Sequence, residues 1–160
     1  MKILVTYYSR SGNTEQLAQA IARGVEEVEG VKAVLKPCGE VEKQDMIDCA
    51  GLVAGSPVYF GTMAAELKAM LDKFVGVRRK MEGKVGAAFA TSADLSGGKE
   101  TTVLSILQAM LIYGMVVMGD PLSATGHYGA CCVGKPDEDA LDRGRKLGHR
   151  VAEVAMKLRS

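Results

Sequence analysis

Lys2-Ile3-Leu4-Val5-Thr6-Tyr7-Tyr8-Ser9-Arg10-Ser11-Gly12-Asn13-Thr14 is the stretch on which the fold turns. Ile3-Leu4-Val5 is a short apolar run without polar alternation, which reads as a strand buried on both faces. A polar, hydroxyl-rich turn follows. From Asn13 to Val28 the apolar residues Leu17, Ile21, Val25 and Val28 recur at helical spacing, and Gly30 ends the segment. The same strand–turn–helix pattern then repeats. Val31 to Leu35, closed by Pro37, reads as a second strand, and Val41 to Asp48 as a short helix. Gly51 to Gly55, stopped by Ser56-Pro57, is a third strand, and Leu67, Met70, Leu71 and Phe74 mark a helix. Val85 to Ala90 is a fourth strand, with a helix through Val103, Ile106, Leu107 and Met110. Met115 to Met118 is a fifth, and Leu141, Leu147, Val151, Val154 and Leu158 mark the last helix. Wholly apolar strands joined by helices predict an α/β fold with a five-stranded parallel sheet and helices on both faces.

The 160 residues suit one domain spanning 1–160, and 48% hydrophobic against 24% charged residues is the balance of a globular chain. A net charge of +1 predicts no nucleic-acid partner. No apolar run approaches the ~20 residues of a membrane span, and the N-terminal run is too short for a signal peptide. Cys38, Cys49, Cys131 and Cys132 spell no C-x-x-C, and His127 and His149 are the sole histidines, so no metal site is expected. Reduced thiols in a cytoplasmic protein are the expectation. A disulfide between adjacent Cys131 and Cys132 would strain the backbone, which favours two reduced, partly buried thiols. Gly119 to Pro136 is the one long stretch without regular pattern, and a compact domain rarely keeps such a stretch without a use for it.

In an open parallel sheet, ligands bind beyond the carboxyl ends of the strands. Three loops there stand out. Ser9, Arg10, Ser11, Gly12, Asn13 and Thr14 place hydroxyls and free first-turn amides around a glycine at a helix start, which suits a phosphate; a cluster of helix caps is the plainer reading. Pro57, Val58, Tyr59, Phe60 and Gly61 put two aromatics beside a glycine, either as a wall for a flat ring or as a cover for the core edge. Thr91, Ser92, Ala93, Asp94, Leu95, Ser96, Gly97 and Gly98 offer a backbone able to follow a planar polar ligand, although alone they read as a plain turn with a helix cap. G-x-G-x-x-G is absent from the first loop. Gly129-Ala130-Cys131-Cys132-Val133-Gly134-Lys135-Pro136 has the G-x4-G-K spacing of a triphosphate loop, yet Pro136 stands where a Ser or Thr is required, which argues against ATP or GTP.

Together the three loops resemble those of the flavodoxin-like family, in order and spacing, over essentially the whole chain. Ser9-x-Ser11-Gly12-Asn13-Thr14 is similar to its FMN phosphate loop, and Gly55 to Gly61 and Thr91 to Gly98 to its second and third FMN loops. The resemblance implies a three-layer fold with sheet order 2-1-3-4-5 and FMN as cofactor. Two branches compete. Pro57-x-x-Phe60-Gly61, Gly98 to Thr102, Tyr113 to Val116 and His127-Tyr128-Gly129-Ala130 resemble the NAD(P)H:quinone oxidoreductase branch historically called Trp-repressor-binding protein. That branch implies electron flow from NAD(P)H to a quinone-type acceptor and a homodimer or homotetramer. The alternative is a flavodoxin carrying single electrons between redox proteins, although such carriers are generally acidic and this chain is not. The chain departs from the quinone-reductase branch in having Tyr113 where a His is usual, and only Val75 to Gly83 where a long insertion carries an acceptor-stacking Trp. Tyr113 and His127 are the candidate proton donors near an acceptor oxygen, although His127 reads equally well as a loop histidine bonded to backbone.

Overall fold

The computed structural model describes residues 1–159. Six parallel strands are joined by helices, except for a loop between the last two: β1 (Lys2–Tyr7), α1 (Asn13–Glu26), β2 (Lys32–Pro37), α2 (Lys43–Asp48), β3 (Gly51–Pro57), α3 (Ala65–Lys73), α4 (Arg78–Met81), β4 (Val85–Ser92), α5 (Lys99–Ile112), β5 (Val116–Val117), β6 (Ala130–Val133) and α6 (Glu138–Lys157). The strand order is β2-β1-β3-β4-β5, with β6 also on β4. Pleat alternation sorts the apolar side chains into two cores. Ile3, Val5, Val53, Val85, Ala87 and Phe89 face α1 and α6, where Leu17, Ile21, Leu147 and Val151 are buried. Leu4, Leu52, Ala54, Ala88 and Ala90 face α2 to α5, against Met46, Leu67, Met81 and Ile106.

The fifth strand differs from expectation. Met115 to Met118 shortens to two paired residues, Val116 and Val117, opposite Val85 and Gly86. Ala130 to Val133 then resumes the ladder beside Phe89 to Ser92 on the same edge of β4. Gly119 to Pro136 is therefore not one irregular stretch: it loops out of an interrupted strand and re-enters it. Asp120, 2% exposed, organises the excursion. Its carboxylate accepts hydrogen bonds from the Thr125 hydroxyl, from Thr125 N at 3.1 Å and from His127 N at 2.7 Å. The two limbs touch at Gly119, where a Cβ would lie 1.9 Å from the His127 carbonyl oxygen.

The re-entry also explains two motifs. The triphosphate-loop spelling is strand β6 rather than a phosphate cradle. Cys131 and Cys132 alternate across the pleat, so Cys131 packs on the α5 side and Cys132 on the α6 side. All four cysteines are free. Burial pushes the Cys131 thiol up to about 12 and Cys132 up to about 11.

Candidate functional site

The turn from β1 into α1 begins with Ser9, whose hydroxyl accepts from Gly12 N at 3.1 Å and from Glu15 N at 3.3 Å. Gly12 sits at φ +87°, a left-handed conformation open to glycine at little cost. With Ser9 and Gly12 holding the turn, the backbone N–H groups of Arg10, Ser11, Asn13 and Thr14 have no acceptor among the described residues. Hence the cap-cluster reading covers only Ser9; the rest of the loop presents uncommitted donors at a helix N-terminus, where an anion is favoured. The buried Thr14 hydroxyl lies 2.8 Å from that of Thr91 and ties this loop to the end of β4.

Arg10, Ser11, Asn13, Thr14, Pro57, Val58, Tyr59, Thr91, Ser92 and Ala93 line one cleft of about 550 Å³. Parts of all three predicted loops thus converge, joined by Gly134, which sequence reasoning missed. Gly134 arrives because β6 pairs with the end of β4, its N–H donating to Ser92 O at 2.7 Å. The cleft is large enough for a cofactor, and no carboxylate lines it.

The second loop divides. Tyr59 lines the cleft and is braced edge-on by Tyr8, ring centroids 6.2 Å apart. Phe60 and Gly61, at φ +50° and +78°, form the tip of a tight turn closed by Tyr59 and Thr62. Phe60 points into solvent, so only the first of the two aromatics forms a wall. In the third loop, Asp94, Leu95, Ser96, Gly97 and Gly98 lie outside the lining. They shape the rim: Gly97 N donates to Asp94 O, and Gly98 packs on Gly61 through the Thr101 hydroxyl, which is 2.6 Å from Gly61 O.

The two proton-donor candidates are not brought together. Fourteen-residue α5 runs back along the sheet for about 21 Å. Tyr113 therefore ends at the opposite edge, buried, its hydroxyl donating to Leu71 O. Burial, reinforced by Asp72, raises its pKa to about 12. Within one chain it has no access to the cleft. His127 lies in a separate, smaller cleft with Lys99 and Arg143.

A doubly covered parallel sheet in the order 2-1-3-4-5, with unpartnered N–H groups after its first strand and an aromatic side chain after its third opening on one cleft, is the architecture of a flavodoxin-like flavoprotein. The sequence pattern of the NADPH-dependent FMN reductases matches residues 40–130, more than half the chain, and the chain belongs to that family. It is an FMN-binding oxidoreductase. It is 35% identical to an NAD(P)H dehydrogenase (quinone) of Archaeoglobus fulgidus, covering 98% of each chain. It is equally 35% identical to a flavodoxin of Aquifex aeolicus, over 95% of this chain and 85% of that one. A flavodoxin structure from the Archaea superposes with a TM-score of 0.83 at 28% identity, covering 98% of this chain and 99% of that one.

Proposed function

We propose that this protein transfers electrons from a reduced pyridine nucleotide to a quinone-type acceptor, with FMN held in the 550 Å³ cleft. The observation that carries the reading is the set of uncommitted N–H groups at Arg10, Ser11, Asn13 and Thr14 on a cleft free of carboxylates. Such a donor set suits the terminal phosphate of FMN. Tyr59 supplies the wall for the ring, and the backbone of Thr91 to Ala93 its polar edge. When bound, FMN supplies the redox chemistry; the chain binds and orients it. No carboxylate or histidine in the lining is positioned to exchange protons, so the chain's own work is positional.

The quinone-reductase relative supports an enzyme, and the near-neutral charge gives no field for steering a protein partner. The flavodoxin relative supports the second reading, a one-electron carrier. Free thiols suit a reducing compartment, and we extend the proposal to the cytoplasm and to a homodimer or homotetramer. Among the described residues no helix is long and apolar enough to cross a membrane.

Anaerobic addition of NADH or NADPH to the FMN-loaded protein tests the reading. Bleaching of the flavin, reversed by a soluble quinone, is expected. A flavin that stays oxidised with both nucleotides yet cycles with a one-electron donor establishes the carrier instead.

A further inference from the structure

The smaller cleft, about 240 Å³, lies at the outer edge of β6. Lys99 and Glu100 of α5 border it on one side and Arg143 of α6 on the other, with His127 and Tyr128 from the Asp120-organised loop between them. Arg143 holds Asp139 at 3.1 Å through one terminal nitrogen, but its Nε is buried and has no acceptor among the described residues. A buried guanidinium N–H without an acceptor is unfavourable, and a charged oxygen is its best partner. Lys99 Nζ donates to Leu95 O at 2.7 Å, which leaves two ammonium protons for a ligand. Tyr128 is 51% exposed and offers a ring face.

We propose that this cleft is the adenosine-phosphate subsite of the reduced pyridine nucleotide, with Arg143 and Lys99 taking a phosphate and Tyr128 stacking on the base. The inference rests on the donor reading above. Two cations and an aromatic ring in one lining suit a nucleoside phosphate, and Glu100 in the same lining can accept from an amino or hydroxyl group of the nucleoside. The cleft is also within reach of the flavin site. Cys131 of β6 lines the smaller cleft and Gly134, just past the end of β6, the larger, three residues on and about 10 Å away. A nucleotide whose phosphates occupy the smaller cleft extends its other end toward the larger.

Titration of the FMN-loaded protein with adenosine 2′,5′-bisphosphate, which lacks the nicotinamide, tests the subsite without electron transfer. Saturable binding is expected, weakened about tenfold or more by Arg143→Met and by Lys99→Met. Asp139→Asn, which breaks the ion pair but keeps the guanidinium, should bind as well or better. Equal binding of adenosine 5′-diphosphate assigns the contact to the 5′-phosphates; preference for the bisphosphate assigns it to the 2′-phosphate. If Arg143→Met does not fold, Lys99→Met carries the test. No binding at millimolar fragment, or unchanged binding in the folded variants, overturns the subsite even if NAD(P)H bleaches the flavin. Binding without any bleaching by NAD(P)H overturns the donor reading and the subsite with it.

Discussion

The Thr14 and Thr91 hydroxyls meet 2.8 Å apart, 2% and 4% exposed, at the joint between the start of α1 and the end of β4. Each hydroxyl is the other's partner, so removing one deprives the other of that hydrogen bond. Thr14→Val should cost about 1–3 kcal/mol of stability in urea melts, and the Thr14→Val/Thr91→Val double variant should recover part of it. FMN titration should show weaker binding in Thr14→Val as the loop loses its tether. A double variant that costs the sum of the singles would refute the pairing. The thiols set a second residue-scale expectation. Burial raises Cys49 and Cys132 to about 11 and Cys131 to about 12, from an ordinary 9.0. Above pH ~9 the unfolded chain releases these protons while the folded chain keeps them, so rising pH favours unfolding. Stability from these groups is whole below about pH 9 and declines toward pH 11–12. Urea midpoints should fall across that window, and a midpoint that rises would contradict the assignment.

Helices α1 and α6 meet through glycine. A Cβ on Gly24 would lie 1.8 Å from the Arg145 carbonyl oxygen, and one on Gly148 would lie 2.0 Å from that of Ile21. Alanine ordinarily favours a helix over glycine by about 1 kcal/mol. Here the collision is with backbone, which has no rotamer to yield, so Gly24→Ala and Gly148→Ala should each destabilise by about 1–3 kcal/mol net. A gain in the urea midpoint would mean the helices separate freely. This contact was illegible in the sequence because a helical glycine has no apolar signature of its own. The first four strands and the major helices were legible because their apolar runs are unbroken and their periods long. Ala130 to Val133 was not, since four small residues inside a polar stretch carry no period, and only β4 makes them a strand. The site followed the same division. Ser9 to Thr14 and Tyr59 were readable from hydroxyls, glycine and ring chemistry beside a strand end. Gly134 depended on register, Phe60 on the handedness of a turn, and Tyr113 on the direction in which α5 runs.

Two groups of exposed apolar side chains, one at the end of α5 and one on the loop between β5 and β6, lie among those scattered over the surface. Val75, Leu111, Ile112 and Val116 are 63%, 56%, 67% and 50% exposed near the N-terminal edge of the sheet, where the two-residue β5 leaves an open strand edge. Leu122 and Tyr128, 91% and 51% exposed, lie on the loop beside the smaller cleft. Patches of this kind invite self-association, and open edges invite pairing. A two-fold contact through one patch closes a dimer, whereas two-fold contacts through both close a tetramer. Light scattering at micromolar concentration should therefore give twice or four times the chain mass. Ile112→Glu places a charge in the first patch and should reduce a tetramer to a dimer held by the loop. Leu122→Glu should leave a dimer held by the α5 end, and the double variant a monomer. Because the smaller cleft lies beside the loop patch, only Leu122→Glu should also alter quinone kinetics. A wild-type monomer would end the assembly proposal and leave one chain to build the acceptor site alone.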